Sequence, residues 1–115
     1  MNWKFLTEIS QLEVVRQASE NRDVLIFKHS TTCSISQLAK LRLEDQWEEN
    51  IIPDVFYLDV KRDRNVSSLI ADSFGVHHES PQVLIIRKGE CIYDASHFDI
   101  SVEEIKETLE YHGHR

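Results

Sequence analysis

The stretch Val24-Leu25-Ile26-Phe27-Lys28-His29-Ser30-Thr31-Thr32-Cys33-Ser34-Ile35-Ser36 decides how the chain reads. Residues 24–27 form a continuous apolar run, the pattern of a strand covered on both faces. The run gives way to a polar turn over residues 29–32, and a helix is expected from about Ser34 to Trp47. Ile35, Leu38, Ala39, Leu43 and Trp47 make a broad apolar side for that helix. Cys33 therefore falls where a buried strand ends and a helix begins.

Working outward, Ser10 and Glu13 have the spacing of a capping box, with Ile9 and Val14 as its hydrophobic staple. Leu12, Val15 and Ala18 then recur on one helical face. Downstream, Pro53 closes a connection and Val55-Phe56-Tyr57-Leu58 reads as a strand. Asn65 is placed to cap a third helix with Val66, Leu69, Ile70 and Phe74 on its apolar face, and Gly75 sits where a helix C-terminus favours glycine. Pro81 precedes the strand Val83-Leu84-Ile85-Ile86, Lys88-Gly89 reads as a hairpin turn, and residues 91–95 as the returning strand. Ser101 and Glu104 repeat the capping box, Ile100 and Ile105 the staple, and Val102, Ile105 and Leu109 face inward. The order α-β-α-β-α-β-β-α implies parallel crossovers followed by an antiparallel hairpin. It predicts an α/β protein, a three-layer α/β/α sandwich on a mixed four-stranded sheet, laid out like the thioredoxin-like fold.

The totals agree with one such domain spanning 1–115. Apolar residues are 41% and charged residues 29% of the chain, ordinary values for a globular protein. A chain of this length buries roughly two-thirds of its unfolded surface, enough for a core without staples. The formal net charge of −7, without a basic run, argues against nucleic acid and against anionic membranes as partners. Residues 1–5 lead into polar sequence with neither a signal-peptide core nor a bilayer-spanning stretch, so a cytoplasmic location is expected. Two distant cysteines make no disulfide framework, and in a reducing compartment a reactive cysteine is more often catalytic or redox-sensing.

Cys33 is the candidate nucleophile. Free N–H groups and the positive end of the helix dipole converge at a helix start and stabilise an anion, and the thiolate is the reactive form. The polar neighbours Thr31, Thr32, Ser34 and Ser36 speak against an inert cysteine serving as a small apolar residue. Cys33-Ser34-Ile35-Ser36 is a C-x-x-S motif. Dithiol oxidoreductases carry a second cysteine where Ser36 stands; a serine can bond the sulfur or help cap the helix, but cannot resolve a mixed disulfide. Ser80-Pro81, before a strand and after a helix and loop, stands where thioredoxin-like proteins put a cis-proline facing the nucleophile, which would present the Ser80 backbone to a substrate as to an added strand. The simpler alternative is a trans proline that merely opens an edge strand. Cys91, just past the hairpin turn, should lie on the order of 20 Å from Cys33 at about 3.3 Å per residue, too far for a disulfide. It reads as structural, with another hairpin register or an intermolecular role as the alternatives. His97, after the returning strand, should border the cleft, as a hydrogen-bond donor or part of the low-molecular-weight thiol site, or else as an ordinary loop histidine. No metal site is expected: the pairs His29/Cys33, His77/His78 and His112/His114 lack the paired cysteines of a closed zinc site.

Together these residues resemble a known family. The run Leu25 to Ser36, the segment Phe74-Gly75-Val76-His77-His78-Glu79-Ser80-Pro81-Gln82-Val83 and Ala95-Ser96-His97-Phe98-Asp99-Ile100 are similar to the YtxJ-like monothiol bacilliredoxins. The resemblance implies a cytoplasmic bacterial protein that removes bacillithiol from oxidised cysteines of cytosolic proteins. It implies Cys33 as nucleophile, Pro81 as cis-proline, no bound cofactor, and bacillithiol as the low-molecular-weight thiol co-substrate. One departure stands out: the family usually has proline where this chain has Ser34, which returns a backbone N–H near the sulfur. Phe27 occupies the place of the buried acid of thioredoxins, so acid-assisted resolution is not expected. The rival reading is a redox-sensing or adaptor module that is modified at Cys33 without turnover; a third is an exchange enzyme using Cys33 and Cys91.

Overall fold

The computed structural model describes residues 1–113. The apolar run becomes strand β2 (Val24–His29), all six residues of which are buried. Around it lie β1 (Lys4–Phe5), β3 (Asp54–Asp59), β4 (Gln82–Arg87) and β5 (Glu90–Ser96), with helices α1 (Gln11–Asn21), α2 (Ser34–Gln46), α3 (Arg64–Phe74) and α4 (Val102–His112). The sheet order is β1-β3-β2-β4-β5. Strands β1 and β2 run parallel to β3, whereas β4 is antiparallel to both β2 and β5.

Side chains alternate across a strand, so each sheet face receives every second residue. Leu25, Phe27, Val55, Val83 and Ile85 pack with Ala39 and Leu43 of α2 and Ile105 and Leu109 of α4. Val24, Ile26, Phe56, Leu58, Leu84 and Ile86 pack with Leu12 and Val15 of α1 and Val66 and Ile70 of α3. Two apolar layers thus sandwich the sheet, which is the expected three-layer α/β/α architecture. The turn between β4 and β5 falls at Lys88 (φ 51°) and Gly89 (φ 77°), both left-handed, as a tight hairpin requires.

Four expectations are corrected. The sheet has five strands rather than four: Lys4 and Phe5 pair with Phe56 and Tyr57, and Leu6 N–H donates to the Tyr57 carbonyl at 2.8 Å. Two residues are too short to show an alternation, and their partner lies about fifty positions away. At α1, Ser10 itself has helical backbone angles and its hydroxyl caps nothing. The Gln11 side-chain oxygen instead accepts the Thr7 and Glu8 N–H groups, leaving Ile9 and Val14 exposed rather than stapled. The residue before α3 is Asp63, not Asn65; Asn65 Oδ1 accepts from Val66 N–H, one residue on, at 2.9 Å. The inward face of α2 is narrower than expected: Ser36, Ala39 and Leu43 are buried while Leu38 is exposed.

The α4 device forms as read. Ser101 Oγ accepts from Glu104 N–H at 3.2 Å, and Ile100 and Ile105 are both buried. The two serines therefore separate in a denaturation experiment. Ser101→Ala should cost about 1 kcal/mol, the usual value of an N-cap, whereas Ser10→Ala should leave the urea midpoint nearly unchanged.

Candidate active site

Cys33 is the residue at which the chain passes from strand to helix. Its backbone is extended (φ −103°, ψ 121°), its N–H donates to the Ser30 carbonyl at 3.2 Å, and its carbonyl accepts from Gln37 N–H at 3.0 Å. The half-buried side chain thus sits at the end of α2 where backbone N–H groups lack helical partners. Ser34 is the exposed first residue of the helix, and Thr32 is exposed in the preceding turn.

Ser36 does neither of the things expected of it. Its buried Oγ accepts from Ser30 N–H at 2.9 Å and lies 2.6 Å from His29 Nδ1. Since Oγ already accepts from the backbone, its proton is available to the imidazole nitrogen. His29 is buried between Phe27 and Tyr57, with ring centroids at 5.6 and 5.5 Å. Burial, reinforced by the Lys40 ammonium, lowers its pKa and keeps the ring neutral.

Cys33 opens on a pocket of about 430 Å³ whose wall also includes Lys61, Arg64, Ser67, His78 and Ser80. The Ser80–Pro81 peptide is cis. Ser80 Oγ is buried without a hydrogen-bond partner among the described residues, and Pro81 is buried and accepts His97 N–H at 3.0 Å through its carbonyl. His97 is therefore beside Pro81, but its ring turns to Glu79, with Nε2 3.5 Å from Oε2, and it is not part of the pocket wall.

Cys91 lies elsewhere. It faces Ile86 across the β4–β5 pair, and Ile86 in turn faces Val24, at the end of β2 remote from Cys33. From Gln82, next to Pro81, to Ile86 is roughly 13 Å of strand, well beyond disulfide reach. The Cys91 thiol donates to the Tyr93 carbonyl at 3.2 Å, and burial pushes its pKa up to about 11.

Sequence reasoning passed over the charged part of the pocket. Lys28 is buried mid-sheet, where its Nζ donates to the Ser67 carbonyl at 3.1 Å and lies 3.1 Å from His78 Nδ1. Burial lowers the Lys28 pKa to about 8. The pKa of His78 is lowered too, first by burial and then by the Lys28 charge. A lysine directly after four apolar strand residues was the signal for this network; the cluster Lys61-Arg62-Asp63-Arg64 was the signal for the cations on the wall. Among the described residues no three His, Cys, Asp or Glu side chains gather as a metal site; His114 lies outside them. None of the described helices is long and apolar enough to cross a membrane.

Residues 4–105 match the family described as monothiol bacilliredoxin BrxC. The chain belongs to that family. A solved protein of thioredoxin fold, ascribed an oxidoreductase role, is 36% identical over 90% of each chain with a TM-score of 0.79. The thioredoxins of Trypanosoma brucei brucei (12% identity, TM-score 0.75, 96% of this chain and 89% of that one) and Fasciola hepatica (15%, 0.71, 96% and 99%) share the fold. This bacilliredoxin-family chain thus has the fold of the thiol–disulfide oxidoreductases.

Lys28 yields a prediction with a definite sign. Folding lowers its pKa from 10.5 to about 8, so between those values the unfolded chain holds the extra proton and stability rises with pH. Urea denaturation at pH 7 and pH 10 should show wild type gaining roughly 3 kcal/mol relative to Lys28→Met across that window. A pH-independent difference would contradict the burial of a titrating ammonium.

Proposed function

We propose that the protein is a monothiol thiol–disulfide oxidoreductase that reduces bacillithiol–protein mixed disulfides in the cytoplasm, with Cys33 as nucleophile and no bound cofactor. The Cys33 thiolate attacks the bacillithiol sulfur, forming a Cys33–bacillithiol disulfide. The original S–S bond breaks and the protein thiolate leaves, taking a proton from water. A second low-molecular-weight thiol, as thiolate, then attacks the bacillithiol sulfur on Cys33. The products are the Cys33 thiolate and a disulfide between the two small thiols. Each step exchanges one S–S bond for another, so the electrons come from the second thiol.

The observation that carries this reading is the setting of Cys33: at a helix start, open to a pocket shared with Ser80 of the cis Ser80–Pro81 unit, with Ser36 where a resolving cysteine would stand. Hydroxyl oxygen cannot displace the mixed disulfide, and Cys91 is at the far end of the sheet. Release therefore depends on a thiol from outside. The bacilliredoxin membership of the chain supports bacillithiol as the small thiol.

Intact-mass measurement with a bacillithiolated single-cysteine protein tests the reading. Cys33 should gain one bacillithiol as the substrate is freed, and excess bacillithiol should give many turnovers. Cys33→Ser should abolish both, and Cys91→Ser should leave the rate within about twofold. One adduct per molecule with no turnover would instead make the protein a sensor or adaptor. In the folded chain at pH 7, iodoacetamide should leave Cys91 unmodified, because its thiol titrates only near pH 11.

A further inference from the structure

We infer that His78 is the proton donor to the departing thiolate, and that the buried Lys28 positions its ring and recharges it. This rests on the monothiol reading of Cys33 and adds to it the residue that neutralises the leaving sulfur.

Position is the first argument. His78 and Cys33 share the wall of one pocket of about 430 Å³, so a disulfide seated against Cys33 occupies the same small cavity as the imidazole. His78 is exposed on that wall, whereas Lys28 is fully enclosed in β2. The Lys28 ammonium has two partners, the Ser67 carbonyl and His78 Nδ1, each at 3.1 Å. The carbonyl can only accept a hydrogen bond, while the imidazole can take a proton on one nitrogen and release one from the other. The ring is therefore the path by which a proton on Lys28 reaches the pocket.

Proton placement is the second. An ammonium has donors only, so Nδ1 accepts from Lys28, and the neutral ring carries its hydrogen on Nε2. Ser67 Oγ also lies 3.1 Å from Nδ1, on the inner side. Nε2 has no hydrogen-bond partner among the described residues and is left for the pocket. The charged and titratable groups around this pair are His77 and Glu79 in the same loop, and Lys61, Arg64 and Cys33 on the pocket wall. Glu79 turns to His77 and His97, so Lys28 is the charged group that holds the ring. Burial, followed by the Lys28 charge, keeps the imidazole neutral. Lys28 itself has a pKa of about 8, close to that of an ordinary thiol at about 8.5. Transfer between the two is nearly balanced, the condition under which a general acid works best.

As the Cys33 thiolate attacks the bacillithiol sulfur, the electron pair of the old S–S bond passes to the protein sulfur. Nε2–H gives its proton to that sulfur while Nδ1 takes one from Lys28. The products are a neutral protein thiol, the other imidazole tautomer and a neutral amine. Water then protonates Nε2 and the Nδ1 proton returns to Lys28, so solvent remains the ultimate source.

The test uses two disulfides that offer Cys33 the same sulfur. Bis(2-hydroxyethyl) disulfide expels an alkyl thiolate; the mixed disulfide of 2-mercaptoethanol with 4-nitrothiophenol expels a weakly basic aromatic thiolate that needs no proton. Formation of the Cys33–hydroxyethyl adduct is followed by intact mass at pH 7. His78→Gln can donate a hydrogen bond but cannot pass a proton through. It should slow the alkyl disulfide about tenfold, below the usual range for a general acid because a thiolate also leaves unaided, and the aromatic one by less than about twofold. Lys28→Met should give the same split. Raising the pH to 10 should bring the wild-type and His78→Gln rates on the alkyl disulfide together, as Lys28 gives up its proton; the aromatic disulfide reports the ionisation of Cys33 in each variant. Equal slowing of both disulfides by His78→Gln, or of neither, overturns the relay, as does a wild-type advantage that persists at pH 10. If Cys33 of the wild type is modified by neither disulfide, the monothiol reading beneath it fails instead.

Discussion

The structure depends on β2 being covered on both faces. A strand so enclosed cannot slip by one residue without turning its buried set into the wrong layer. Leu25 and Phe27 are thereby committed to the side of α2 and α4, and Val24 and Ile26 to the side of α1 and α3. The same constraint fixes where the strand ends, and so where α2 begins. The Ser36 hydroxyl ties that junction by taking the Ser30 N–H and meeting His29. Cys33 sits between these anchored residues, so its place at the head of the helix follows from the packing of the strand before it.

What was legible in the sequence was what local pattern can encode. The run at Val24–Phe27, the Ser101 cap, Gly75 with φ 65° and the Lys88-Gly89 turn each announce a backbone state through nearby residues. Lys4 and Phe5 were not legible, because a two-residue strand is specified by its partner rather than by its own alternation. Ser10 shows the opposite failure. Its motif was present, but Ser10 already has helical backbone angles, while Gln11 takes the Thr7 and Glu8 N–H groups of the turn before it, so the box does not sit at the entry to the helix.

The site divides in the same way. Cys33 and Pro81 stand out because their residue types are rare and their positions relative to strand and helix are diagnostic. Lys61, Arg64 and His78 come from the β3–α3 connection, the start of α3 and the loop before Pro81, and only the fold gathers them. Lys28 is visible as a charge directly after four apolar strand residues, but its partners Ser67 and His78 are distant in sequence. A charged residue in an enclosed strand costs stability, and it persists here with both a carbonyl and an imidazole as partners.

The serine at position 36 also bears on how this scaffold could change. A thiol there would be a poor acceptor for the Ser30 amide and a weak donor to His29. The junction that positions Cys33 would loosen at the moment a second sulfur arrived. Conversion to two-thiol chemistry would therefore require a compensating change at His29 or Ser30 beforehand. The serine at 36 is thus held by its hydrogen bonds to the junction and not only by the absence of a second sulfur.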